Sequence, residues 1–152
     1  MRRAIDAARR GIARGQTPFG ACIIAPDGRD EIVSAHNVVW ETTDVTAHAE
    51  VNAIRQACAM RGAIELAGCT IYSTCEPCPM CFSACHWAQI ARVVYGASID
   101  DARRAGFNEL AISNEQMKRL GGSDVIIVSG VLRAESTALF EEWRKQPSRR
   151  AY

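Results

Sequence analysis

No stretch of this 152-residue chain is apolar for long enough to cross a bilayer. The start, Met1-Arg2-Arg3-Ala4-Ile5-Asp6, has basic residues but no apolar run behind them. Neither a signal peptide nor a membrane anchor is therefore expected, and the expected location is cytoplasmic. A surplus of one charge is missing too: 18 Lys and Arg stand against 17 Asp and Glu, for a net charge of +1. That balance speaks against nucleic acid as the main partner. The one local basic cluster, Arg144, Lys145, Arg149 and Arg150, reads as a solvated tail. Internal repeats, low-complexity tracts and linkers are also absent, so residues 1–152 are expected to form one domain.

Cysteine, by contrast, is plentiful. There are seven, an odd number, and their spacing does not match a small secreted disulfide scaffold. Cys22, Cys58 and Cys69 fall in apolar strand-like or helical runs and read as buried thiols. Cys75, Cys78, Cys81 and Cys85 crowd into one short stretch, which calls for chemistry.

The apolar pattern gives a coarse layout. Residues 2–14 read as a helix with Ile5, Ala8 and Ile12 on one face, broken by Thr17-Pro18-Phe19-Gly20. Residues 21–25 and 31–35 read as a hairpin around Pro26-Asp27-Gly28. Residues 37–46 read as a loop. Thr46 is the expected cap of a helix over 47–60, with Gly62 past its end. Residues 69–74 read as a strand, 78–88 as a helix opened by Pro77, and 92–97 as a strand. Short helices over 100–105 and 114–120 precede a strand over 125–129. A last helix over 133–145 is expected to bury Ala134, Ala138, Leu139 and Trp143. A hairpin followed by alternating helices and strands predicts a three-layer α/β fold with a mixed five-stranded sheet.

Two short elements stand apart: His48-Ala49-Glu50 and Pro77-Cys78-Pro79-Met80-Cys81, each opening a helix, with 26 residues (51–76) between them. That interval holds a helix and a crossover strand, so both helix starts can meet at one end of the sheet, where open α/β sheets bind ligands. One imidazole and two thiolates, His48, Cys78 and Cys81, match three-ligand catalytic zinc with a fourth position open. Cys78 and Cys81 are three apart and face the same way, and a helix N-terminus favours the thiolate form. A zinc ion so held lowers the pKa of water to near neutrality. Glu50 is then placed as the catalytic proton shuttle rather than a ligand. Alone, either element would be weak evidence, and Cys75 or Cys85 could close the site as a fourth, structural ligand. Together, in this order, they form the pattern His-x-Glu…Pro-Cys-x-x-Cys of the zinc deaminases.

At these residues the chain resembles the cytidine deaminase superfamily over nearly its whole length. Within it, the likeness runs toward the bacterial guanine deaminases and nucleoside deaminases. It is carried by Thr17-Pro18-Phe19-Gly20-Ala21, Thr46-Ala47-His48-Ala49-Glu50-Val51, Cys75-Glu76-Pro77-Cys78-Pro79-Met80-Cys81, Trp87-Ala88, Ala105-Gly106-Phe107 and Tyr152. The resemblance implies one catalytic Zn2+ per chain. It also implies substrate contacts at Asn37, Phe19, Ala49, Trp87, Glu109 and Tyr152, with Asn37 hydrogen-bonding the base and Phe19 and Trp87 as nearby aromatics. Glu109 falls where the family has an acidic residue that handles the amine. There the closest pattern is Asp-Asp, and this chain has Asn108-Glu109. The resemblance further implies a homodimer that exchanges its C-terminal segments (about 133–152), one tail closing the other's site.

The expected activity is therefore hydrolytic deamination of a small-molecule purine base, guanine to xanthine plus ammonia. A tRNA adenosine deaminase shares these motifs and stays open, as does a cytosine or nucleoside deaminase. A non-catalytic zinc-stabilised domain would have no use for Glu50 beside an open metal position.

Overall fold

A computed structural model describes residues 1–147 and 149–152. Ser148, inside the C-terminal segment 133–152, lies outside the described residues. The strands are β1 (Gly20–Ile24), β2 (Glu31–His36), β3 (Thr70–Cys75), β4 (Arg92–Ala97) and β5 (Ile126–Val128). They form one five-stranded sheet in the order β2-β1-β3-β4-β5. On one face pack α1 (Arg2–Ala13) and α7 (Arg133–Arg144), with α5 (Ile99–Ala105) against α7. On the other pack α3 (Ala49–Arg61) and α4 (Pro79–Trp87), with α6 (Asn114–Gly121) against α4. The expected three-layer fold with a mixed sheet is what forms. Among the described residues, no helix is long and apolar enough to cross a membrane.

The topology explains where a site must lie. β1 runs antiparallel to both β2 and β3, while β3, β4 and β5 are parallel. Hence β2, β3 and β4 all end at the edge where β1 begins. Phe19 precedes β1, Asn37 follows β2, and the segment leading to Cys78 follows β3, so all are delivered to that edge.

Several details differ from the sequence expectation. α3 starts at Ala49, not 47, and its N-cap is His48. Thr46 does not cap it. Its backbone N–H and hydroxyl both donate to Asp44 Oδ1, at 2.8 and 2.7 Å. This side-chain turn competes with the helix for Thr46. α4 begins at Pro79, with Cys78 as N-cap; Pro79, not Pro77, supplies the preset backbone of the first turn. The loop 37–46 holds a short helix α2 (Val39–Thr42). Cys22 and Cys69 are buried as expected, but Cys58 only partly so. In α7 the buried face runs through Ser136, Leu139, Phe140 and Trp143, and Ala134 and Ala138 are exposed. Ser136 lies against Gly96 of β4, where any Cβ would collide with the serine side chain. That close approach rotates the helix onto the Ser136 stripe. At the end of α3, Gly62 takes the left-handed conformation expected of a helix-ending glycine.

Candidate active site

His48 and Cys78 are both N-cap residues with extended backbone, and Cys81 lies in the first turn of α4. The two helix starts face each other, so the three side chains converge. His48 Nδ1 is 3.6 Å from Cys78 Sγ and 3.6 Å from Cys81 Sγ, and the two sulfurs are 3.6 Å apart. Zinc–sulfur bonds of about 2.3 Å and zinc–nitrogen bonds of about 2.0–2.1 Å at tetrahedral angles require edges of roughly 3.6–3.8 Å. The triangle therefore fits one face of a zinc tetrahedron. Among the described residues these three are the group whose spacing could hold a metal. Cys75 and Cys85 are buried, and the Cys75 thiol, though it borders a small cavity shared with His48 and Cys78, donates to the Ser98 carbonyl at 3.4 Å. Among the described residues, neither joins the group that could hold a metal.

Electrostatics support a thiolate at Cys78. Hydrogen bonding with the Cys81 sulfur is the largest influence. It and His48 outweigh burial, bringing the Cys78 pKa down to about 4. The same sulfur contact, with burial, holds Cys81 well above the ordinary thiol range.

Glu50 is buried at the start of α3, beside the triangle and not part of it. Its Oε2 lies 3.4 Å from Cys81 Sγ, while Oε1 accepts the Ser73 hydroxyl at 2.9 Å. Burial, then the Cys78 charge, pushes its pKa up. A carboxylate held close to a metal site, able to carry a proton, is what acid–base work requires.

A cleft of about 340 Å³ opens in front of the ligands. Phe19, Glu109 and Tyr152 line it, with Phe107 and Met80. Phe19 stacks edge-on against Phe107, centroids 4.8 Å apart, which fixes its ring. Burial, Cys78 and Glu50 together raise Glu109 to about 7. Asn37 is fully buried: Oδ1 accepts from the Val39 N–H at 3.1 Å, and Nδ2 donates to the Tyr152 hydroxyl at 2.6 Å. The Tyr152 ring lies 5.6 Å from that of His48, so within a single chain the tail lies across its own cleft. Ala49 is fully buried between His48 and Glu50. Trp87 is not brought to the cleft. It sits at the far end of α4, 79% exposed, against His86.

Sequence reasoning missed several residues. Ser73 could have been found, because strand alternation puts it on the same face as buried Ile71, toward α3. Glu76 stood in plain view between Cys75 and Pro77, yet only tertiary structure supplies its partners. Trp40 and Arg150 pair across the tail: the indole donates to the Arg150 carbonyl at 3.1 Å, and the guanidinium stacks 4.2 Å above its ring. The basic tail is thus partly anchored and not simply solvated.

Comparison with known proteins agrees with this geometry. Residues 1–97, which contain all four chemical residues, match the cytidine and deoxycytidylate deaminase zinc-binding region. The guanine deaminase of Bacillus subtilis is 39% identical over 153 residues, covering 100% of this chain and 96% of that protein. The tRNA-specific adenosine deaminase of the same organism is 33% identical, covering 96% of this chain and 89% of that protein. Among solved structures, the guanine deaminase from Nitrosomonas europaea superposes with a TM-score of 0.85 at 29% identity, over 94% of this chain and 81% of that one.

Proposed function

The chain belongs to the cytidine and deoxycytidylate deaminase zinc-binding family and is a zinc-dependent hydrolytic deaminase acting on C–N bonds; from that premise we propose that its substrate is a free purine base, guanine, converted to xanthine and ammonia. The observation that supports this most is the cleft in which His48 and Cys78 meet Phe19, Glu109 and Tyr152, with Asn37 buried behind Tyr152.

In this reading His48, Cys78 and Cys81 hold the zinc. When bound, zinc supplies Lewis acidity that makes a water molecule nucleophilic at neutral pH. The chain's residues do the rest. Tyr152 offers its hydroxyl to the base edge, Asn37 reaches that edge by exchanging its bond to Tyr152 for one to the base, and the Phe19 ring packs on the base's face. Glu109 receives the amine side. Glu50 takes a proton from the attacking water on Oε2 and passes it to the ring nitrogen beside the attacked carbon. It then helps deliver a proton to the departing amine. Water adds, the exocyclic C–N bond breaks, and ammonia leaves. Ser73 fixes the Glu50 carboxylate through Oε1, leaving Oε2 for that traffic.

We also propose one domain over 1–152 and a homodimer in which C-terminal segments are exchanged. Supporting a partner, the α3–α4–α6 layer exposes large apolar side chains: Met60 and Ile64, Trp87, and Leu120. Trp87 is a substrate contact in this reading only through assembly or rearrangement, since it stands off the cleft of its own chain.

The second reading, a tRNA adenosine deaminase, has the similar Bacillus subtilis protein in its favour. Against it stand the near-neutral charge and a cleft already capped by Tyr152. Ammonia release measured over guanine, guanosine, adenine, cytosine, cytidine and triazines tests the proposal. Guanine should be turned over best. No turnover of guanine would remove this substrate while leaving the zinc chemistry intact. Steep salt dependence of tRNA binding would favour the second reading.

A further inference from the structure

The segment that delivers Cys78 and the loop that carries Glu109 are joined by two buried polar residues that take no part in the proton traffic. Glu76 follows Cys75 at the end of β3 and precedes Pro77 and Cys78. Its backbone N–H donates to the Ala97 carbonyl at 2.8 Å, extending the β3–β4 pairing. Its carboxylate, on a residue only 7% exposed, is divided between two helix starts. Oε1 accepts from the backbone N–H of Asn114 at 2.9 Å, and Oε2 from that of Ile99 at 3.2 Å. Asn114, 0% exposed, returns a bond: Nδ2 donates at 2.6 Å to the carbonyl of Pro77, the residue before Cys78.

Ile99 and Asn114 are the first residues of α5 and α6. Ser98 and Ser113 cap the N–H groups of Asp101 and Gln116 there, and Glu76 satisfies the first N–H of each helix. Helices this short depend on their caps and tertiary contacts. The carboxylate also sits where both helix dipoles are positive. Between α5 and α6 runs the loop 106–113, which brings Phe107 and Glu109 to the cleft. The cleft wall therefore runs from the end of α5 to the start of α6, and the starts of both helices are tied to a residue two positions before Cys78.

We propose that Glu76 and Asn114 are positioning residues that hold the metal-binding segment and the Glu109 wall in one fixed relation. A base lying against 106–113 then meets the metal at the reacting distance. This rests on reading Cys78 as a ligand and Glu109 as a substrate contact. The bonding is directional. One carboxylate shared by two N–H donors, with an amide returning to the same segment, loses a bond whenever either helix slides. Glu76→Gln keeps the volume but leaves one helix N–H facing an amide N–H₂. Asn114→Ala keeps both bonds to Glu76 and cuts only the tie to the Pro77 carbonyl.

The test uses the zinc-loaded chain and three variants: Asn114→Ala, Glu76→Gln and Val125→Ala. Val125→Ala is a core truncation just before β5, at the end of the sheet away from the cleft, and serves as a stability control. Zinc release to a coloured chelator is timed, and KM and kcat are measured on whichever base the unaltered chain deaminates. Asn114→Ala and Glu76→Gln should weaken zinc retention by about 10- to 100-fold. They should lower kcat/KM by up to about 10²-fold, as expected when substrate and metal fall out of register. Val125→Ala should leave both as in the unaltered chain despite a lower Tm. If Glu76→Gln does not fold, Asn114→Ala carries the test alone. Zinc release and kcat/KM in Asn114→Ala equal to those of Val125→Ala would overturn the coupling. An unaltered chain that binds no zinc would instead sink the site reading, and this proposal with it.

Discussion

Glu50 and Ser73 meet inside the protein, where a carboxylate without a partner is costly. The Ser73 hydroxyl occupies Oε1 at 2.9 Å, and Oε2 is left beside the ligand triangle. If Glu50 shuttles protons and does not hold metal, Glu50→Ala should keep about one zinc per chain. Its kcat should fall by about 10²–10⁴-fold, the usual worth of a positioned acid–base group. Zinc analysis and steady-state kinetics on one preparation decide it, and surviving turnover would end that assignment. Ser73→Ala removes only the fixing bond. It should lower kcat about tenfold, roughly 1.4 kcal/mol, with zinc content unchanged. An unchanged kcat would mean that α3 alone orients the carboxylate. These two residues also show what a sequence can reveal at this scale. Glu50 is legible because metal ligation and acid–base chemistry are written in short spacings at helix starts. Ser73 acts on a residue 23 positions away: strand alternation gives its face, but no local pattern gives its partner.

Elements were legible to the extent that caps and periodicity are local. The 3.6-residue spacing of Ile5, Ala8 and Ile12 gave α1 its buried face as it stands in the fold. The start of α3 was misplaced because Asp44 captured Thr46, a competition between two side chains that the helix pattern does not reveal. The stripe of α7 was misplaced because Gly96, on a distant strand, sets the closest approach. α5 shows what a cap contributes once formed. Burial disfavours the charged form of Asp101, but the Ser98 backbone N–H, Arg133 and Arg104 outweigh it and lower its pKa to about 2. Because the folded value lies below the unfolded value of about 3.9, the charged group stabilises the fold at higher pH. That contribution should be complete above about pH 4 and disappear as pH falls through about 2. Denaturant unfolding of Asp101→Asn should show a loss of about 2 kcal/mol at pH 7 that narrows toward zero near pH 2. A difference independent of pH would assign the effect to packing.

At the scale of the whole molecule, the sheet edge gathers the ligands, Glu50, Asn37 and Phe19 from four separate stretches of chain. This convergence was predictable, because β2, β3 and β4 must all end on one side. The tail is different: nothing in its composition says where it lies. It is held over the cleft by few contacts, chiefly Tyr152 on Asn37 and Arg150 on Trp40. So little bonding supports the core weakly, yet it sets the Tyr152 ring in the lining of the cleft. A chain ending at Gln146 should therefore keep its zinc and lose at most a few degrees of Tm. Asn37 would lose its phenol partner and the cleft its cover, so KM for the base should rise about tenfold or more while zinc content holds. The same truncation reads out the assembly. If tails are exchanged between protomers, the mass in solution should fall toward one chain together with the loss of affinity. If each tail covers its own site, as the bonds within this one chain do, affinity should fall with no change in mass. Unchanged KM together with unchanged mass would show that the tail closes nothing, and Tyr152 would leave the list of residues that meet the base.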